Sequence, residues 1–220
     1  MREYNLTHKF IERRAMHIRE ADVLRFAREM KSTGPTRLLR SSTSGEKLYY
    51  RGEYGRMKGV SLLCFIGCDG LESSFMIEGN FNRAEFVKCC REYALSGRVQ
   101  KHPGRRSVWI MDGARIHCHP DIVAYLRSLE IIPIFLPAYC PFYNPIEFFF
   151  GMVKKALRRH YQEGEIQAKD LPKVISRVLD TNRECSLRAL FRNCGYLPSG
   201  LFDAGAAGYR REALAELGFE

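Results

Sequence analysis

The chain has 220 residues with 45% hydrophobic and 27% charged content, enough for one α/β domain with a sizeable core. Its net charge of +10 favours a polyanionic partner, and the first 50 residues carry 11 Lys and Arg against 6 Asp and Glu. No apolar run reaches the ~18 residues of a membrane span, and the first residues lack the apolar core of a secretory signal, so neither is expected.

Residues 8–31 read as one long helix. No Gly or Pro interrupts them, and Ile11, Ala15, Ile18, Val23, Phe26 and Met30 recur near helical period. Arginines fill much of the remainder, so this is either a DNA-facing or connecting helix or a solvated face of Glu–Arg pairs. Residues 32–46, STGPTRLLRSSTSGE, are a loop by composition, with Gly34-Pro35 and a Ser/Thr cluster as breakers. A strand over Lys47–Arg51 follows. Val60–Gly67 and Glu72–Glu78 form a hairpin around Cys68-Asp69-Gly70. A helix over Asn82–Leu95 has Asn82 as its cap. After a basic loop, the strand Ser107–Met111, the helix Pro120–Leu129 and the strand Ile131–Leu136 make a right-handed βαβ unit with parallel strands. A helix over Asn144–His160, one or two more within Asp170–Phe191, a glycine-rich stretch and a short helix Tyr209–Leu217 complete a mixed sheet with packed helices.

The eight cysteines follow no C-x-x-C pattern and are read as buried free thiols. His117, Cys118 and His119 alternate, but no second ligand pair stands at zinc spacing.

Chemistry concentrates between Ser107 and Arg159. Asp112 closes a buried strand, and ligands in α/β sheets gather at strand carboxyl ends. Glu147 falls in the first turn of a helix, where the dipole favours its charge. The two have 34 residues between them and could share Mg²⁺ ions through hard oxygen ligands. Ordinary readings stand beside this one: Asp112-Gly113 is a turn dipeptide, and Asn144-Pro145-Ile146-Glu147 fits a capping box.

The blocks MDGARIH and FLPAYCPFYNPIEFFFGMVKKALRR resemble the DDE transposase superfamily in its mariner-type branch. Weaker likeness extends over roughly residues 5–197. The resemblance implies an RNase H-like mixed sheet flanked by helices, and an enzyme that cuts DNA and joins the freed 3′ end to a target. It implies a two-metal site for Mg²⁺ or Mn²⁺, with Asp112 as the second and Glu147 as the third metal-binding, catalytic carboxylate. His117 matches a frequent family histidine of unassigned role. DNA is the implied partner, a homodimer an admissible assembly, and the nucleus (the cytoplasm in a prokaryote) the implied location.

One departure bears on activity. The family carries its first carboxylate on the central first strand, which should fall between the N-terminal helix and Gly45-Glu46-Lys47. That interval holds no Asp and no apolar run. The sequence therefore predicts a basic helical connector over 1–31, a loop replacing the first strand over 32–46, the RNase H-like domain over 47–197 and a tail over 198–220. Impaired DNA cleavage follows, or a catalytically inactive, transposase-derived DNA-binding protein. Asp22, Glu53 and Asp69 are the residues to check as a third ligand.

Overall fold

The structure is a computed structural model that describes residues 19–32, 41–48, 60–162 and 170–207. In chain order these form α1 (Glu20–Ser32), β1 (Ser41–Leu48), β2 (Val60–Gly67), β3 (Gly70–Glu78), α2 (Arg83–Ala94), β4 (Val108–Met111), α3 (Pro120–Ser128), β5 (Ile132–Phe135), α4 (Pro145–Gln162), α5 (Leu171–Asp180) and α6 (Arg188–Asn193). The five strands make one mixed sheet in the order β3-β2-β1-β4-β5. β2 runs antiparallel to both β1 and β3, whereas β1, β4 and β5 are parallel.

The loop expected over residues 32–46 gives way to a strand from Ser41 onward, while residues 33–40 lie outside the described residues. Ser41–Leu48 is a strand, and it holds the middle of the sheet. Its sequence, SSTSGEKL, has no apolar alternation and a glycine inside it, so composition points to a loop. The strand forms because β2 and β4 each offer it a ladder of backbone donors and acceptors. Tertiary context thus outweighs weak β-propensity. The central first strand is present, and the exposed inner edges that its loss would create do not arise.

Helices cover both faces of the sheet. β2 reads VSLLCFIG and is buried at every position, as a strand covered on both sides requires. Period-two alternation sends Leu62, Cys64 and Ile66 to one core with residues of α1, α4, α5 and α6. Leu63 and Phe65 go to the other, with Phe86 and Tyr93 of α2, Ile122 and Leu126 of α3, and Trp109 of β4. Trp109 packs 5.0 Å from Phe65 and 5.5 Å from Tyr93, and its Nε1–H donates to the Arg106 carbonyl over 2.9 Å. Fully burying such an indole requires that bond.

α1 docks through Val23, Phe26 and Met30, so the described part of the expected connector folds onto the main core. The expected tail also contributes: Ala207 is fully buried, and Phe202 packs edge-on to Phe26 at 4.8 Å. The Asn82 capping box is formed in both directions, Glu85 N–H to Asn82 Oδ1 and Asn82 N–H to Glu85 Oε2, each over 2.9 Å. The β2–β3 hairpin turns at Gly70, where φ is +136° and a Cβ would meet the Arg183 carbonyl oxygen at 2.2 Å, so only glycine fits. The βαβ unit is realised as β4–α3–β5. The segment 170–191 holds two helices, α5 and α6. Residues 8–18, 49–51 and the expected helix Tyr209–Leu217 lie outside the described residues. Among the described residues no helix is long and apolar enough to cross a membrane.

Of the eight free cysteines, six are buried as expected, while Cys118 and Cys185 are exposed. Burial pushes the thiols of Cys64, Cys90 and Cys194 well up and that of Cys89 up to about 11, so these are inert core residues.

Candidate metal and catalytic site

β4 and β5 run parallel in register from Val108↔Ile132 to Met111↔Phe135, so their carboxyl ends finish together. Asp112 follows the last residue of β4. Leu136 N–H still donates to the Met111 carbonyl over 2.8 Å, holding the exit of β5 against that of β4. The chain then runs through a loop and a short 3-10 turn, Pro141–Tyr143, into α4. This loop is fixed from below. Tyr143 and Asn144 are buried, and the Tyr196 hydroxyl donates to the Tyr143 carbonyl over 2.8 Å. Pro145 opens α4 with a φ suited to the first turn, and Glu147 stands in that turn, exposed, its N–H on the Asn144 carbonyl at 3.2 Å. The two predicted carboxylates thus occupy the same, carboxyl edge of the parallel strands, one on a strand end and one on the helix start that follows.

α4 lies across β1. The β1–β4 register runs Ser41↔Trp109, Ser42↔Ile110 and Thr43↔Met111, so it ends one residue short of Asp112. The β1 residues in this register, Ser41, Ser42 and Thr43, and Ser44 after them, include no acid. The single carboxylate of β1, Glu46, is paired in register with Leu62 of β2.

Asp112 is held by two donors on the same oxygen. Ala114 N–H reaches Oδ1 at 3.0 Å and His117 Nδ1 reaches it at 2.5 Å. The Asp112 side chain is 34% exposed, while that of His117 is 2% exposed. The His117 ring lies 4.6 Å from that of Phe86. The turn itself is closed by backbone bonds from His117 and Cys118 N–H to the Ala114 carbonyl. Burial, and after it the Asp112 charge, push the exposed-edge thiol of Cys118 upward.

Asp112 and Glu147 offer hard oxygen ligands, which suit Mg²⁺ or Mn²⁺. Among the described residues no group of three His, Cys, Asp or Glu side chains gathers as a metal cluster, so the donor set fits such an ion in part. Asp22 is paired with Arg25 at 3.2 Å on α1. Asp69 is paired with Arg188 at 3.0 Å in the β2–β3 turn, at the sheet edge opposite Asp112. Glu53 lies outside the described residues. The pairing of His117 with Asp112 escapes sequence reading, because a five-residue offset across a turn has no periodicity to announce it.

Comparison with known proteins joins this arrangement to a family. Curated proteins yield no sequence match. Among solved structures, the crystal structure of the catalytic domain of Mos1 mariner transposase is similar at a TM-score of 0.56 and 12% identity, covering 92% of this chain and 100% of that one. The same domain with raltegravir and Mn is similar at 0.59 and 13%, covering 90% and 94%. A Mos1 strand transfer complex matches at 0.53 and 12%, with 97% of this chain covering 63% of that one. At these identities the likeness establishes the RNase H-like fold. The family model described as DDE superfamily endonuclease matches residues 29–182, from the end of α1 through β1, Asp112 and Glu147 to the end of α5, and on that span the chain belongs to the DDE superfamily endonucleases.

Proposed function

We propose that this chain is the catalytic domain of a DNA transposase whose ancestral reaction is metal-dependent DNA cleavage and strand transfer, weakened here by an incomplete set of carboxylates. The observation that carries it is the shared edge of Asp112 and Glu147 within a family-matched sheet whose central strand, SSTSGEKL, contains no aspartate.

DNA enters as substrate on two grounds. The chain carries +10 net charge, and structures of Mos1 transposase similar to it include a strand transfer complex and a paired-end complex with a transposon end. Mos1 catalytic domain structures also contain Mn or Mg. Asp112 and Glu147 would hold such ions, which when bound activate the attacking oxygen and offset charge on the leaving oxygen of an in-line displacement. The protein's own part is placement. Asp112 is fixed by its turn and by His117, and Glu147 is fixed by the buried Tyr143 and Asn144 ahead of it and by a helix start that favours its charge. With two acidic ligands where the family uses three, ion affinity and rate both fall.

Nicking of supercoiled plasmid in Mg²⁺ or Mn²⁺ tests this. The expected result is slow nicking or none. Vigorous cleavage abolished by Asp112→Ala would refute the impairment.

The lack of an aspartate in the central strand also favours a second reading, a DNA-binding protein without catalysis. Duplex binding should then weaken several-fold as salt rises, through counterion release, and be unaffected by Asp112→Ala. Failure to bind at low salt counts against it.

A further inference from the structure

We propose that His117 is a positioning residue that fixes Asp112 toward a divalent cation. This rests on the reading of Asp112 as a metal ligand. An ionised carboxylate only accepts, so the 2.5 Å contact is a hydrogen bond donated by His117 Nδ1–H to Oδ1. In the neutral ring that donates through Nδ1, the lone pair lies on Nε2. That atom is buried and has no hydrogen-bond partner. An orphaned buried acceptor weighs against folding and calls for a compensating use.

Closing the turn is not that use. Backbone bonds from His117 and Cys118 to the Ala114 carbonyl, with Ala114 N–H on Oδ1, already close it. What the imidazole adds is direction. It is 2% exposed, lies against the fully buried Phe86, and cannot turn without breaking that packing. It therefore pulls Oδ1 inward from a carboxylate that is one-third exposed at the sheet edge, and sets the plane in which the group meets an ion. Histidine and carboxylate here exchange the places they take in many zinc sites: the carboxylate ligates and the histidine orients it.

The test is Mn²⁺ binding by calorimetry, with thermal unfolding as the check on folding. His117→Phe keeps a ring against Phe86 and removes the donor. His117→Asn keeps a donor near the Nδ1 position. His117→Gln places its amide nearer the Nε2 position. The expected result is a loss of roughly 10- to 100-fold in Mn²⁺ affinity for the Phe and Gln variants, and retention within about threefold for Asn. Should Phe fail to fold, the Asn and Gln pair still separates direction from bulk. Equal affinity in folded Phe, Gln and parent proteins would overturn the role, as would an Asn variant as weak as Gln. Nitrogen-15 imidazole spectra of the metal-free parent are expected to show the Nδ1-protonated ring. An Nε2-protonated ring overturns the pair itself. An Nδ1-protonated ring in a chain that binds no Mn²⁺ overturns instead the metal reading, and with it the role of His117.

Discussion

Placing proline at Thr43 puts the central strand to the proof. Thr43 pairs with Phe65 of β2 on one side and with Met111 of β4 on the other, one residue short of the level of Asp112. A proline there removes a ladder donor, leaves a carbonyl of a neighbouring strand unpaired, and sets its ring against the adjoining backbone. An unsatisfied buried backbone group alone costs about 1–3 kcal/mol. With the ring's steric conflict the total comes to ~3 kcal/mol or more. For a domain of this size each kcal/mol lowers Tm by about 2–4 °C, so the variant should melt roughly 6–12 °C below its control. That control is Thr43→Ala, which shortens the side chain and spares the ladder. Thermal unfolding followed by circular dichroism reads the shift. Amide exchange should in parallel show Thr43 and its neighbours opening with the global transition. A Thr43→Pro protein that melts within about 1 °C of Thr43→Ala would refute β1 as the middle of the sheet. At three-kilocalorie cost the domain difference sits well above that threshold.

Two further outcomes follow from the same geometry. Ser44→Asp adds an acid to the strand position after the Thr43↔Met111 pair, as Asp112 follows Met111, so the metal-free variant should melt below the parent by charge repulsion and recover with Mn²⁺ through binding linkage. Equal Mn²⁺-induced shifts in variant and parent would refute Ser44 as the completing position. The buried thiols predict alkaline instability. Burial raises their folded values, Cys89 to about 11, whereas an unfolded thiol ionises near ~8.5. Their contribution to stability is thus complete below ~8.5 and is lost as pH rises through the folded values. Tm should fall steadily from pH 9 to 11, and Cys89→Ala should flatten that slope. A parent whose Tm is level over the window refutes this.

Much of the architecture can be read from local pattern. Apolar runs marked β2, β4 and β5, Asn82 announced the start of α2, and prolines marked the first turns of α3 and α4. These signals are local, and each element obeys its own stretch of chain. Asp112 and Glu147 were legible for a related reason, since a strand end and a helix start are marked by the residues around them. β1 was not legible. SSTSGEKL carries no pattern of its own, and its strand exists only because β2 and β4 stand ready on both sides.

The sequence by itself thus determined the helices, the strands on either side of β1, the positions of the two acidic residues and the family likeness, because propensity, periodicity and motif act over a few consecutive residues. Tertiary structure alone decided the middle of the sheet, the parallel register of β1 with β4, and the grip of His117 on Asp112 Oδ1. Backbone ladders between distant segments, and a side-chain bond formed across a turn under an aromatic ring, are properties of the folded chain that no single stretch of residues encodes.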